Sequence, residues 1–306
     1  MVHYCNFVLF LSQYFSQFYN HNSTKMSKIK ELEKIAAQVR RDILRMVHAV
    51  QSGHPGGALG CADVFTALYF HFLKHNPASF SMDGKGEDLF FLSNGHLSAV
   101  WYSVLARSGY FDVKELGTFR KIDSRLQGHP ATEEGLPGVR VASGSLGQGL
   151  SVACGAANAK KLNQDEHLVY CHMGDGELQE GQIWEAAMYA AANKLDNLIG
   201  IVDYNGKQID GPVEEILSLG DLKAKWEAFG WQVLEMNGND MEDIFKVIPQ
   251  AHEKCGKDKP VVILMHTEMG YGVDFMMGTH KWHGAAPNDE QFQNAIAQIE
   301  ETIGDY

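Results

Sequence analysis

The stretch that most limits what this chain can fold into is 168–211, LVYCHMGDGELQEGQIWEAAMYAAANKLDNLIGIVDYNGKQIDG. An apolar run from Leu168 to Met173 breaks at Gly174-Asp175-Gly176, a segment of helical period follows, and a second apolar run from Leu198 to Val202 ends in Asp203-Tyr204-Asn205. That pattern is a strand, helix, strand unit with polar groups at both strand ends. Ligands of open parallel sheets bind beyond the carboxyl ends of the strands, which is where Asp175 and Asn205 fall. With the strands adjacent, both side chains reach one ion. A carboxylate and an amide oxygen suit a hard divalent cation that completes its shell with water and phosphate, in the manner of Mg²⁺. Such a metal comes with an anionic cofactor. Gly174 and Gly176 are expected to supply positive φ and the absence of side-chain bulk that a turn against a diphosphate needs.

The rest of the chain supports a sheet of this kind. From Lys30 onward, Leu32, Ile35, Ala36, Val39, Ile43, Met46, Val47 and Val50 repeat with helical period, and Gln51-Ser52-Gly53-His54-Pro55-Gly56-Gly57 ends that helix. A second helix is expected after Gly60, with Asp63 in its first turn. Asp88–Ser93 reads as a buried strand followed by Asn94-Gly95-His96 and a helix through Trp101. Residues 117–143 lack a periodic segment and read as an ordered functional loop. Gly144-Ser145-Leu146-Gly147-Gln148-Gly149 opens a small-residue helix to Lys161, and its Gly-x-x-Gly-x-Gly spacing is a poor dinucleotide motif. In the central unit the pattern places a buried stripe at Trp184, Ala187, Met188 and Ala191. Strands at 231–236 and 261–265 flank a helix capped by Asp240, and a last helix is expected to close the chain at Tyr306. Alternating strands and helices imply one doubly wound α/β domain over residues 26–306, a mainly parallel sheet flanked by helices. Residues 1–25 carry a short apolar core at Phe7–Leu11 without a basic leader or a cleavage site, and are expected to be a disordered tail or an upstream extension that does not belong to the protein.

Composition removes several function classes. A hydrophobic fraction of 45% over 306 residues supplies a large core. A formal charge of −12 with no basic run argues against nucleic acid and against an anionic membrane surface. Five widely spaced cysteines without a CxxC pair fit neither a disulfide framework nor a zinc knuckle, and suit a reducing cytoplasm. Four histidine sites adjoin glycine or proline in expected loops: His54 in SGHPGG, His96 in SNGH, His129 in GHP, and His280 or His283 in THKWHG. At such positions an imidazole can be presented to a ligand and can move protons near neutral pH.

The extended stretch GDGELQEGQIWEAAMYAA with its downstream Asn205 resembles the thiamine diphosphate signature of the transketolase family, and the SGHPGG, SNGH, GHP and WHG loops resemble that family over most of Lys28–Tyr306. The resemblance implies a thiamine diphosphate-binding fold, thiamine diphosphate with Mg²⁺ (or Ca²⁺ or Mn²⁺) as cofactors, and transfer of a two-carbon ketol unit between phosphorylated sugars of pentose phosphate metabolism. It implies that Asp175, Asn205 and the Lys207 backbone carbonyl hold the metal, and that Gly144, Leu146 and Gly176 touch the cofactor. His54, His96, His129 and His283 are implied to face substrate, with His283 preferred to His280 as the WHG match. Glu180, together with Glu185, is implied to couple paired active sites. Transketolases are about twice as long, and the segments that supply the aminopyrimidine-polarising glutamate and the phosphate-binding arginines are missing here. The resemblance therefore implies a cytoplasmic N-terminal subunit working with a separate C-terminal subunit, two copies of each in a heterotetramer. The alternatives are a relative acting on 2-oxo acids and a cofactor-binding regulatory protein without turnover.

Overall fold

The computed structural model describes residues 24–306 with their side chains; its first helix starts at Val2, and the expected extension at residues 1–25 lies almost wholly outside the described side chains. Helix α1 (Val2–Val50) buries Leu32, Ala36, Val39, Ile43, Met46 and Val47, as the spacing requires. Its basic and acidic groups find partners in the fold: Arg40 pairs with Asp63, and Asp42 accepts from Arg107 and Ser103. The chain then turns through Gln51 and Gly53, both at positive φ, and re-enters helix earlier than expected, with Pro55 opening α2 (Pro55–Gly60) ahead of α3 (Ala62–Ala67) and a π-helical turn over Leu68–Phe72. Proline lacks only a donor that the first helical turn leaves unused. The glycines of α2 answer to close packing, since a Cβ on Gly56 would stand 2.8 Å from the Trp282 carbonyl oxygen.

The remaining elements are β1 (Leu89–Leu92), α4 (Ser98–Arg107), α5 (Gly149–Leu162), β2 (Val169–Gly174), α6 (Gly181–Ala192), β3 (Leu198–Tyr204), a small hairpin of β4 (Lys207–Gln208) and β5 (Gly211–Pro212), α7 (Val213–Leu217), α8 (Leu222–Ala228), β6 (Gln232–Asn237), α9 (Met241–Lys254), β7 (Val261–His266) and α10 (Asp289–Ala297). Five parallel strands form one sheet in the order β1-β2-β3-β7-β6. The chain steps outward from β1 to β6 and reverses once to insert β7, so helices cover both faces. Phe90, Ile199, Ile201 and Ile263 face the side of α1, α3, α4 and α9, while Phe91, Cys171, Val202 and Leu264 face the side of α5, α6 and α8. Burial on both faces explains why the strands read as unbroken apolar runs.

Three further details differ from the sequence pattern. Met188 is 59% exposed, and the buried stripe of α6 is Ile183, Ala186, Ala187 and Ala190, one residue out of phase with the expected one. Neither Gly174 nor Gly176 has positive φ; glycine is needed at 176 because a Cβ there would lie 2.9 Å from Cβ of Gln208. The last helix stops at Ala297, and the segment beyond it returns to α1, where Asp305 pairs with Arg41 and Arg45 and the Tyr306 ring lies under the Arg45 guanidinium. Asp240 caps α9 by accepting from the Glu242 and Asp243 amides, and the helix continues through Pro249. Among the described residues no helix is long and apolar enough to cross a membrane, and the four described cysteines are free.

Candidate active site

The parallel register places Gly174 opposite Asp203, so the ends of β2 and β3 stand side by side and bring Asp175 next to the 203–207 turn. Asp175 is 1% exposed; its Oδ1 accepts from the Gly176 N–H at 2.7 Å and its Oδ2 from the Gly206 N–H at 2.6 Å. Asn205 donates from Nδ2 to Asp203 at 2.8 Å and accepts the Lys207 N–H on Oδ1 at 2.9 Å. The Lys207 ammonium reaches Glu268 at 3.2 Å. Asp203 is itself buried and accepts from the Thr267 hydroxyl. Two buried carboxylates thus share the strand ends without a basic side chain against Asp175. Burial, reinforced by the neighbouring Asp203, pushes the Asp175 carboxyl up to about 7.

The donor set fits a hard cation. Asp175 and Asn205 each keep an oxygen lone pair after their backbone contacts, and the uncompensated charge at Asp175 is what a divalent ion offsets. Among the described residues there is no cluster of three or more histidine, cysteine or carboxylate side chains suited to a metal.

Four loops deliver the histidines to the same place. His54 precedes α2, His96 lies on the helical turn after β1, His129 comes from the 117–143 loop, and His283 follows the turn at His280–Trp282. Ring centroids are 5.2 Å apart for His54 and His96, 6.0 Å for His54 and His129, 5.8 Å for His54 and His283, and 5.0 Å for His96 and His283. Of the two histidines in THKWHG, His283 lines the cavity and His280 does not. Burial holds His54 down to about 4, with His283, Arg120 and His129 adding to the shift. Burial likewise lowers His96, His129 and His283. The four imidazoles are therefore neutral at pH 7, and each carries one N–H donor and one acceptor nitrogen. The buried Nδ1 of His283 has no partner among the described residues.

The two groups share one cavity of about 500 Å³, lined by the four histidines together with Gly144, Leu146, Asp175, Gly176, Glu180, Asn205 and Lys207. Of the candidate site residues named from the sequence, all but Glu185 and His280 are on that wall. Gly144, at φ +137°, lies so close to His129 that a Cβ would stand 3.1 Å from the ring, which ties the glycine loop to the histidine group. Glu180 is exposed at the start of α6, and Glu185 is exposed on the same helix away from the cavity. Sequence reasoning missed four participants. Asn94, 1% exposed, lines the cavity and bonds to the buried His172 at 2.9 Å; Asp203 and Glu177 are buried carboxylates in the wall. Arg120 donates to Ser52 at 2.9 Å and approaches His54 Nδ1 at 3.5 Å. The available signals were faint: polar residues directly after apolar strands for Asn94 and Asp203, an acidic residue after GDG for Glu177, and none for Arg120.

A strand-end cleft with a cation-ready carboxylate and amide, continuous with a ring of neutral imidazoles, defines the cofactor-binding half of a group-transfer enzyme. A family model described as the transketolase thiamine diphosphate binding domain matches residues 32–304, and the chain belongs to that family as an N-terminal, thiamine diphosphate-binding transketolase subunit. It is 39% identical to an apulose-4-phosphate transketolase subunit of Phocaeicola vulgatus, over 90% of this chain and 96% of that one. A 6-deoxy-6-sulfo-D-fructose transketolase subunit from Clostridium sp. is 37% identical over 88% of this chain and 96% of its own length. Human transketolase is 33% identical, over 92% of this chain but only 44% of the longer protein. The crystal structure of Campylobacter jejuni transketolase superposes with a TM-score of 0.80 at 38% identity, covering 88% of this chain and 42% of that one.

Proposed function

We propose that residues 26–306 form the diphosphate-binding and proton-handling half of a two-subunit transketolase that moves a two-carbon ketol unit between phosphorylated sugars. The observation that carries this is the convergence of four loop histidines on the cavity that also holds Asp175 and Asn205. When bound, thiamine diphosphate supplies the carbanion chemistry of ketol transfer. Asp175, Asn205 and the Lys207 carbonyl would hold Mg²⁺, with Ca²⁺ or Mn²⁺ as substitutes, while Gly144, Leu146 and Gly176 would border the cofactor. His54, His96, His129 and His283, neutral at pH 7, would hydrogen-bond sugar hydroxyls and exchange protons with them.

Relatives named as single transketolase subunits match this chain nearly end to end, whereas the long transketolases are matched over less than half of their own length. A C-terminal subunit would supply the other wall, two copies of each chain would assemble with Glu180 and Glu185 near the junction, and the complex would work in the cytoplasm, in pentose phosphate metabolism. The names of the relatives point to different sugars for those proteins, so the donor is tested directly. The complex is offered an aldose phosphate as acceptor, with either xylulose 5-phosphate or pyruvate as donor, together with Mg²⁺ and thiamine diphosphate. Turnover of the ketose phosphate alone is expected; turnover of pyruvate alone would contradict the proposal.

A further inference from the structure

Glu177 is the most heavily engaged side chain in the wall of the cavity, and the chemistry proposed above does not use it. It is 2% exposed, and the groups that reach it are hydrogen-bond donors rather than cations. Oε1 accepts from the Ser93 hydroxyl and from the Gly147 N–H at 2.7 Å, while Oε2 accepts from the Gly174 N–H at 3.1 Å. The Ser93 hydroxyl oxygen in turn accepts from the Gly149 N–H at 3.0 Å. One carboxylate thus joins the end of β1, the end of β2 and the glycine loop that leads into α5.

Burying a carboxylate among dipolar donors is costly, and stability alone does not call for it. The arrangement is explained by what it holds. The 144–149 loop has Gly144 at φ +137° and Gly147 at φ +86°, glycines that lose the most backbone freedom on ordering, and it places Gly144 and Leu146 on the cavity wall. A loop that must be ordered at the moment of binding loses affinity; one already held does not. The two oxygens of a carboxylate accept from both sides at once, whereas glutamine would present an NH₂ group to one of the backbone N–H groups.

We infer that Glu177 is a positioning residue that, through Ser93, Gly147 and Gly174, holds the 144–149 loop in its cofactor-receiving form. The inference rests on the reading that this cavity takes thiamine diphosphate. The test uses the chain assembled with its C-terminal partner and compares wild type with Glu177→Gln, Glu177→Ala and Ser93→Ala. Amide hydrogen exchange of the 144–149 segment is measured without cofactor, and the Kd of thiamine diphosphate with Mg²⁺ by calorimetry. Glu177→Gln is expected to speed exchange in that segment, leave α9 protected, and weaken binding by about tenfold, about 1.4 kcal/mol, with kcat at saturating cofactor within about twofold. Glu177→Ala should weaken binding further, and Ser93→Ala less, with the carboxylate retained. Unchanged affinity in both Glu177→Gln and Ser93→Ala, or faster exchange spread through α9 as well as the loop, would overturn the inference. Wild-type complex that binds no thiamine diphosphate would overturn the functional reading and this inference together, and the wild-type titration separates that case from the others.

Discussion

The diphosphate clamp and the histidine ring border one cavity but are built in different ways. Asp175 and Asn205 come from neighbouring strand ends whose positions follow from sheet register, Gly174 against Asp203. The four histidines come from loops spread from residue 54 to residue 283 and are held by contacts between loops, such as Gly144 against His129 and Arg120 against His54. The difference teaches that cofactor affinity should depend on a few backbone-anchored groups, whereas chemistry should depend on a mutual arrangement that any one loop can disturb. The clamp is a matter of charge, and the ring is a matter of neutral donors and acceptors.

The largest effect that would separate the two regions is expected at the clamp. Asp175→Ala should weaken Mg²⁺-dependent thiamine diphosphate binding more than about a hundredfold, since it removes the only charged ligand proposed for the ion. His54→Ala or His283→Ala in the assembled complex should lower kcat by roughly 10²–10⁴, read in a ketol-transfer assay, while cofactor affinity stays within about twofold. Gly144→Ala sits where the two regions meet: with φ +137° and the His129 ring 3.1 Å from the new Cβ, it should reduce both affinity and kcat, each by about tenfold, in the same two assays.

A smaller effect should appear in the acid stability of the ring. The fold holds His54 at about 4 against 6.5 for a free imidazole, so between those values the unfolded chain binds the proton that the native chain refuses. Stability contributed by the neutral imidazole is complete above about 6.5 and is lost as pH falls toward 4, on the order of 1–2 kcal/mol after discounting for its partial exposure. Thermal melts of His54→Asn from pH 7 to pH 4.5 should show a shallower decline than wild type. The smallest change is expected far from both regions: Met188→Gln, on the exposed face of α6, should shift stability of the isolated chain by no more than about 0.5 kcal/mol.

The strand–helix–strand unit was legible because strands buried on both faces leave unbroken apolar runs, and because polar residues at their ends are conspicuous. The loop histidines were legible one at a time through their glycine and proline neighbours, but their convergence is a tertiary fact that only the family resemblance anticipated. The α6 stripe was misplaced by one residue because the alanine-rich run at 186–192 satisfies either phase of the helical period. Of the two reasons expected for glycine at 176, the left-handed φ is absent, whereas room for a side chain is indeed lacking, with Gln208 across the turn as the obstacle. Glu177, Asp203 and Arg120 escaped notice because each acts through partners distant in sequence: Ser93 and Gly147, Thr267, and Ser52 with His54.

The division of labour between clamp and ring is tested most directly by calorimetric titration of thiamine diphosphate, with Mg²⁺, into three forms of the assembled complex: wild type, Asp175→Ala and His54→Ala. The expected result is binding by wild type and by His54→Ala with Kd values within about twofold, and no measurable binding by Asp175→Ala. Undiminished binding by Asp175→Ala, or loss of binding in His54→Ala, would contradict the assignment of cofactor retention to the strand ends and of chemistry to the histidines.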